Sequence, residues 1–274
     1  MVNYIFGNTS KIIKHLFVKY PCANTKTIGR NGSYDFYCDL RRPDEFDFNM
    51  FSSGDKVVFS AAISSPYECA NNIEESNNIN IIGTSHVIKK ILETGAEVLF
   101  LSSDVVFENT NYPIFEDSPR APKNIYSYQK SIIEKIFEDY NGFYIYRLSY
   151  VYGKDDPFIN YLLNCLKNDI IAEVFEEYQR SAVHIDDVVF AINLFLKKLP
   201  ISKKVHICGD KLISKLYMAE KLSEKYDLRY KITGAPEGFF KYRVKKIEMK
   251  SKIFGTMMNR KLLSFGRFVD SLQL

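Results

Sequence analysis

At 274 residues, 46% of them apolar and 26% charged, the chain is long enough to bury a sizeable core and too apolar to remain disordered. A net charge of +4, with lysines scattered among glutamates, disfavours a nucleic-acid partner. No run approaches the ~20 apolar residues of a membrane span, and the apolar N-terminus reaches Gly7 too soon for a signal peptide, so a soluble cytoplasmic protein with no membrane partner is expected.

Val2 to Phe6 predicts a strand that ends at Gly7, and Ser10 to Lys19 places Ile12, Ile13, Leu16 and Phe17 at helical spacing. A second short strand, Thr25 to Ile28, ends at Gly29 and Arg30. Lys56 to Ser60 reads as a buried strand before Ala61 and Ala62. Asn80 to Thr94 is helical until Gly95 stops it. The strand Glu97 to Leu101 leads into Ser102, Ser103 and Asp104, Tyr126 to Tyr140 is helical, and Phe143 to Arg147 is a strand. Strands alternating with helices predict an α/β fold, a doubly wound parallel sheet of Rossmann type.

Beyond Gly153 the pattern is less regular. Asp187 to Lys197 reads as a helix, Lys204 to Ile207 as a strand, Ser214 to Tyr226 as a helix and Ile247 to Leu274 as a mainly helical tail. The expected division is a nucleotide-binding core over 1–153 and a smaller, interleaved substrate lobe over 154–274, with 184–208 returning to the core. The five cysteines (Cys22, Cys38, Cys69, Cys165 and Cys208) form no C-x-x-C pair and are expected as reduced, mostly buried thiols. The four histidines (His15, His86, His184 and His206) share no metal-ligand spacing, and no metal is expected. The densest basic stretch, Lys241 to Lys252, reads as a solvated face, with phosphate binding as the minority alternative.

The chemistry-bearing pattern is Tyr126 and Lys130, one helical turn apart on the same face. A nearby cation lowers a phenol's pKa, which lets a tyrosine act as general acid or base toward a carbonyl or carbinol oxygen. Ser103, directly after an apolar strand, could donate to the same oxygen. Asp104 adds an acceptor beside it. In an open α/β sheet the carboxyl ends of the strands form the ligand edge, and Gly7, Arg30, Ser60, Ser103 and Ser149 all fall near such ends. An arginine at the end of the second strand accommodates the extra phosphate of NADP, where an acidic residue would accept from the ribose of NAD. Arg30 therefore favours NADP(H), with NAD(H) as the alternative.

The stretch LFLSSDVVFENTNYPIFEDSPRAPKNIYSYQKSIIEKI resembles the segment of dTDP-4-dehydrorhamnose reductases that runs from S-T-D-x-V-F to Y-x-x-x-K and a following glutamate, here Glu134. YRLSYVYG is similar to their R-x-S-W-V-Y-G, RSAVHIDDVV to the R-x-x-x-H-V-D-D of extended short-chain dehydrogenases, and SAAIS and Asn80 to Thr84 to N-A-A and N-x-x-G-T. The resemblance implies a Rossmann fold, a nicotinamide cofactor, a nucleotide-sugar substrate and a place in polysaccharide biosynthesis. It gives Tyr126 the role of acid, Lys130 that of ribose holder and pKa setter, and Ser103 the Ser/Thr role. It places cofactor along Gly7, Ser10, Lys11, Ile12, Arg30, Asp39, Leu40, Ala61, Ala62, Tyr126 and Lys130, and sugar against Ser103, Asp104, Val105, Tyr150 and Arg180.

Two departures qualify this. In the expected G-x-x-G-x-x-G only Gly7 remains, with Ser10 and Ile13 in place of the second and third glycines. Ser10 can cap the helix or bind phosphate, whereas Ile13 adds bulk where the helix should approach the sheet. Ser60 replaces the family's asparagine. The resulting expectation is an NAD(P)H-dependent reductase of a nucleotide-activated 4-keto-6-deoxy sugar, compatible with a homodimer. The alternatives are an epimerase of the same superfamily and a non-catalytic, cofactor-binding or regulatory relative. A dehydratase needs an extra acid–base pair after the Ser/Thr, and the sequence Asp104-Val105 counts against it.

Overall fold

The computed structural model describes residues 1–21, 24–198 and 201–273, so Cys22 lies outside the described residues. Strands β1 (Asn3–Phe6), β2 (Thr25–Gly29), β3 (Phe36–Tyr37), β4 (Lys56–Phe59), β5 (Glu97–Ser103) and β6 (Phe143–Leu148) join the strand Lys204–Ile207 in one seven-stranded sheet. Its order is Lys204–Ile207, β6, β5, β4, β1, β2, β3, and every pairing is parallel. The strand order reverses between β1 and β4, which marks the place where open α/β sheets bind ligands beyond their carboxyl ends.

Strand periodicity explains the two cores. Ile5, Val58 and Leu99 face one side of the sheet, and Phe6, Val57, Phe59, Val98 and Phe100 face the other, because successive side chains of a strand alternate faces. The first side is covered by helices α1 (Lys11–Lys19) and, much later in the chain, Ile185–Lys197. The second is covered by α4 (Thr84–Glu93) and α5 (Ile125–Phe137), which follow the short α2 (Pro66–Asn71) and α3 (Ile73–Asn77). The bulk of Ile13 is absorbed, since it is fully buried in the first core with Ile5, Val58 and residues of Ile185–Lys197.

Apolar spacing predicts one helix over 80–94. The structure instead runs α3, a π-helical turn over Asn78–Gly83 and α4 without interruption. The wide turn brings Gly83 against the chain after β3, where a Cβ would lie 1.8 Å from the Leu40 carbonyl oxygen. Gly7 has φ +92°, and a Cβ there would meet the Ala61 nitrogen at 2.7 Å. Only glycine permits these two close approaches.

A third apolar cluster, which includes Tyr152, Ile159, Leu162, Val174, Met218, Leu222 and Phe268, holds the second half of the chain together. It includes a helix over Pro157–Lys167 where the sequence showed no regular pattern, and the tail expected as mainly helical has only the short helices Phe254–Met258 and Phe265–Ser271 after a strand at Lys246–Ile247. The tail is short of helix because its apolar residues dock singly into cores already built by other elements: Met257 joins the first and Phe268 the third. Cys38, Cys69, Cys165 and Cys208 are free and buried. Among the described residues no helix is long and apolar enough to cross a membrane.

Replacing Gly83 by alanine sets a side chain against backbone that cannot rotate away, and should cost about 3 kcal/mol. Gly255→Ala, where an added Cβ meets nothing within 4 Å, should leave the protein unchanged or slightly more stable. Urea unfolding of the two variants measures both.

Candidate active site

The parallel register aligns the strand ends. Gly7 N–H donates to the Ile28 carbonyl (3.1 Å) and Ser60 N–H to the Phe6 carbonyl (2.9 Å), which sets the loops after β1, β2 and β4 side by side. A cleft of about 610 Å³ opens along them. Gly7, Ser10, Lys11, Ile12, Arg30, Asp39, Leu40, Ala61, Ala62, Tyr126 and Lys130, residues from five separate stretches of chain, all line it. Its size is that of a small-molecule site.

The remnant glycine loop keeps its shape by means the sequence did not reveal. The Asn8 side-chain amide donates to the carbonyls of Asn31 (3.3 Å) and Ser33 and so ties the loop to the turn after β2. Ser10 is the N-cap of α1 but makes no side-chain capping bond, contrary to one expectation for it, and the first turn of α1 carries no acidic residue. The first N–H groups of a helix have no partner within it and favour an anion. Those of α1 start beside the cleft, with Lys11 next to them.

Just after β3, Asp39 is buried and its carboxylate takes three hydrogen bonds from the Arg41 side chain, the shortest 2.6 Å. Arg41, and then Arg30 at 4.0 Å, hold this carboxyl below the usual range. Arg30 remains more than a third exposed.

Helix α5 begins at a capping box. Asn124 accepts from Ser127 N–H (2.8 Å), and the Ser127 hydroxyl accepts from Asn124 N–H (3.0 Å). This fixes the first turn, so Tyr126 and Lys130 share the face toward the cleft, the ammonium 5.9 Å from the tyrosine ring centre. Lys130 donates to the Leu101 carbonyl (3.0 Å) and lies 4.4 Å from the Phe100 ring centre. Burial pulls it down to about 8, against the opposing pull of Glu134. The expectation that the cation lowers the phenol's pKa does not hold in this geometry. Burial pushes Tyr126 up, and the buried Cys69 thiol and Asp104 add to the shift. Cys69, whose thiol donates to the Ile63 carbonyl (3.3 Å), is a neighbour that the sequence reading had not singled out.

One turn after Lys130, Glu134 is fully buried. It accepts from the Ser102 hydroxyl (2.5 Å), from Arg147 Nε and Nη2 (2.7–3.1 Å) and from Arg120 (3.2 Å). Arg147 also donates to the Glu116 carbonyl (3.1 Å) and lies 3.2 Å from His206 Nε2. His206 Nδ1 donates to the Lys250 carbonyl (2.9 Å), which leaves Nε2 as the acceptor and the ring neutral. Burial and Arg147 pull His206 down to about 4.

The residues assigned to the sugar side form a second, adjoining group. Ser103 donates to Asp104 (3.3 Å), Ser149 donates to the other Asp104 oxygen (3.1 Å), and Arg180 Nε lies 3.4 Å from it. Burial raises the Asp104 pKa, opposed by Arg180. Val105 N–H is directed back to the Ser103 hydroxyl at 3.4 Å. The terminal nitrogens of Arg180 are spent on the carbonyls of Gln179, Val244 and Lys245, and its guanidinium covers the Tyr178 ring at 4.2 Å. Arg180 thus braces Asp104 from the second lobe. Tyr150 turns its hydroxyl away from this group and donates to Asp156 (2.5 Å).

A profile of the NAD dependent epimerase/dehydratase family matches residues 15–208. Methionine adenosyltransferase 2 subunit beta of Pongo abelii is 24% identical over 182 residues, 63% of this chain and 54% of that protein. dTDP-4-dehydrorhamnose reductase of Escherichia coli is 27% identical over 183 residues, 64% of this chain and 61% of that protein. The chain thus spans little more than half the length of these curated relatives. Among solved structures, RMD from Pseudomonas aeruginosa complexed with NADPH superposes with a TM-score of 0.77 over 98% of this chain and 96% of its own, at 16% identity. At that identity the likeness is one of fold.

The neutral state of His206 links the network to acidity. The unfolded histidine takes up a proton below its ordinary 6.5, whereas the folded one does so only near 4. Its stabilising contribution is therefore complete above pH 6.5 and is lost as pH falls toward 4, at about 1.4 kcal/mol per pH unit. Urea titrations between those limits should show a slope smaller by about that amount in His206→Asn, and an equal slope in the two proteins would refute the assignment.

Proposed function

The chain belongs to the NAD dependent epimerase/dehydratase family, and on that premise we propose that it is an NADPH-dependent reductase of a nucleotide-activated 4-keto-6-deoxy sugar. One observation carries this reading: a single cleft runs from the open N-terminus of α1, past Arg30, to Tyr126 and Lys130. The cleft fits a dinucleotide. Gly7 leaves room for close backbone approach, the first turn of α1 offers N–H groups to a pyrophosphate, and Arg30, part-exposed and only loosely paired with Asp39 at 4.0 Å, is the cation that would meet an added ribose phosphate. In this reading residues 1–153 and 184–208 hold the cofactor, and the remainder of 154–274 shapes the sugar side.

A bound nicotinamide supplies the hydride. The chain supplies the proton and the geometry. Tyr126 Oη gives its proton to the sugar oxygen as charge develops there, and its raised pKa keeps it protonated until that moment. In this reading Ser103, whose hydroxyl donates to Asp104 in the free protein, turns to the same oxygen as a second donor. The Lys130 ammonium holds the ribose and steadies the negative charge left on the phenol, because charges interact strongly in a site with little water. The relative from E. coli named a dTDP-4-dehydrorhamnose reductase supports the choice of substrate class.

A second reading, a regulatory subunit without catalysis, is favoured by the reduced glycine loop and by the relatives named methionine adenosyltransferase 2 subunit beta. Cofactor binding and turnover separate the readings. NADPH oxidation should require a nucleotide 4-keto sugar, and Tyr126→Phe should lower kcat about 10²- to 10⁴-fold while NADPH affinity stays within about twofold. Wild-type protein that binds NADPH yet turns over no 4-keto sugar would favour the regulatory reading. Arg30→Ala should weaken NADPH binding about tenfold and NADH binding little; equal losses for both would remove the basis for preferring NADP.

A further inference from the structure

Lys215, the first residue of the helix Lys215–Tyr226, is buried at 6% exposure. Its ammonium makes one hydrogen bond, to the Tyr150 hydroxyl at 2.8 Å, and among the described residues no carboxylate lies within ion-pair distance of it. Three rings surround it, with centres at 4.0 Å for Phe158, 4.3 Å for Tyr150 and 5.8 Å for Tyr178. Taking an ammonium out of water costs several kcal/mol, and each cation–π contact returns only about 0.5–2 kcal/mol. Two of its three N–H donors have no acceptor among the described residues.

The charges around it do not restore balance. Asp156 is the nearest acid, but one of its oxygens caps Pro157–Lys167 through Phe158 and Ile159 N–H (3.0 and 2.9 Å) and the other takes the Tyr150 proton. Arg180 is paired with Asp104. Arg243, which stacks on Phe239 at 4.7 Å, adds a further positive charge. Tyr178 lies between Arg180 and Lys215, so the row Ser103, Asp104, Arg180, Tyr178, Lys215 extends outward from the hydroxyl next to the chemistry.

We propose that Lys215 is the counter-ion for an anionic oxygen of the substrate, a diphosphate oxygen or a carboxylate carried on the sugar, received beside Tyr150 and Tyr178. This rests on the nucleotide-sugar reading above. Burial, reinforced by Arg180 and Arg243 and opposed by Asp156, pulls Lys215 down to about 8. An arriving anion favours the charged ammonium and draws in a proton when the solution is more basic than that.

Isothermal titration of the full chain with UDP-glucose, whose sugar is uncharged, and UDP-galacturonic acid, whose sugar is a carboxylate, tests this. Lys215→Met should weaken binding at least about tenfold. Equal losses for both ligands assign the diphosphate, and a loss confined to UDP-galacturonic acid assigns the sugar carboxylate. At about pH 8.5, buffers of different ionisation enthalpy should reveal proton uptake on binding to wild type that Lys215→Met lacks. Lys130, the other ammonium drawn down to about 8, is unchanged in the variant, so the difference belongs to Lys215. Wild-type binding with the variant within twofold and the same proton uptake overturns the proposal and leaves the nucleotide-sugar reading intact. Wild type that binds neither ligand overturns this proposal, whereas the reductase reading stands or falls separately on NADPH oxidation with a nucleotide 4-keto sugar. Should Lys215→Met fail to fold, absence of proton uptake by wild type is sufficient to overturn it.

Discussion

The buried pair of Glu134 and Arg147 is the interaction on which the site depends. Glu134 lies on α5 one turn after Lys130 and two after Tyr126, and Arg147 lies on β6 beneath that helix. Their contact fixes the helix in rotation and height against the sheet, and so determines that the phenol and the ammonium look into the cleft. Burying two charges costs more than their attraction returns unless the remaining donors and acceptors are filled. Ser102, Arg120, the Glu116 carbonyl and His206 fill them. The Ser102 hydroxyl belongs to β5 next to Ser103, so the same carboxylate that orients α5 also holds the strand end that carries Ser103.

On the cofactor side, stiffness comes from a different source. A glycine-rich turn ordinarily lets backbone, helix and strand approach one another closely. Here Gly7 alone provides that freedom, at the point where it meets Ala61. Asn8 cross-links the loop to the turn that carries Arg30, and Ile13 becomes part of the core between sheet and helix. The loss of two glycines is thus compensated by a side-chain tether and by packing, which leaves the first turn of α1 beside the cleft.

The second half of the chain is tied to the sheet edge by charge. Arg180 comes from the strand Gln179–Arg180 and closes on Asp104 at the end of β5, so the lobe is located by a buried ion pair next to the sheet edge. Behind that pair, the Tyr178 ring separates Arg180 from Lys215. The basic stretch Lys241 to Lys252 is divided in the same terms. Lys252 pairs with Asp117 (3.0 Å) and Lys250 donates to the Asp210 carbonyl (2.7 Å), as a solvated face would, whereas Arg243 lies close enough to act on Lys215.

Local pattern alone determined the alternation of strands and helices through Phe143–Leu148, the strand ends at Gly7, Arg30 and Ser103, and the shared face of Tyr126 and Lys130. Each follows from side-chain periodicity over a few residues, which the chain carries wherever it is read. The order of the strands, the gathering of eleven residues into one cleft and the tether from Asn8 required the tertiary structure, because they join residues far apart in sequence. The same holds for electrostatics. The spacing of Tyr126 and Lys130 suggested a lowered phenol pKa, but burial, which no spacing records, reversed its sign. Lys215 had no pattern to distinguish it, and only the fold sets its charge among three rings with, among the described residues, no carboxylate in ion-pair reach.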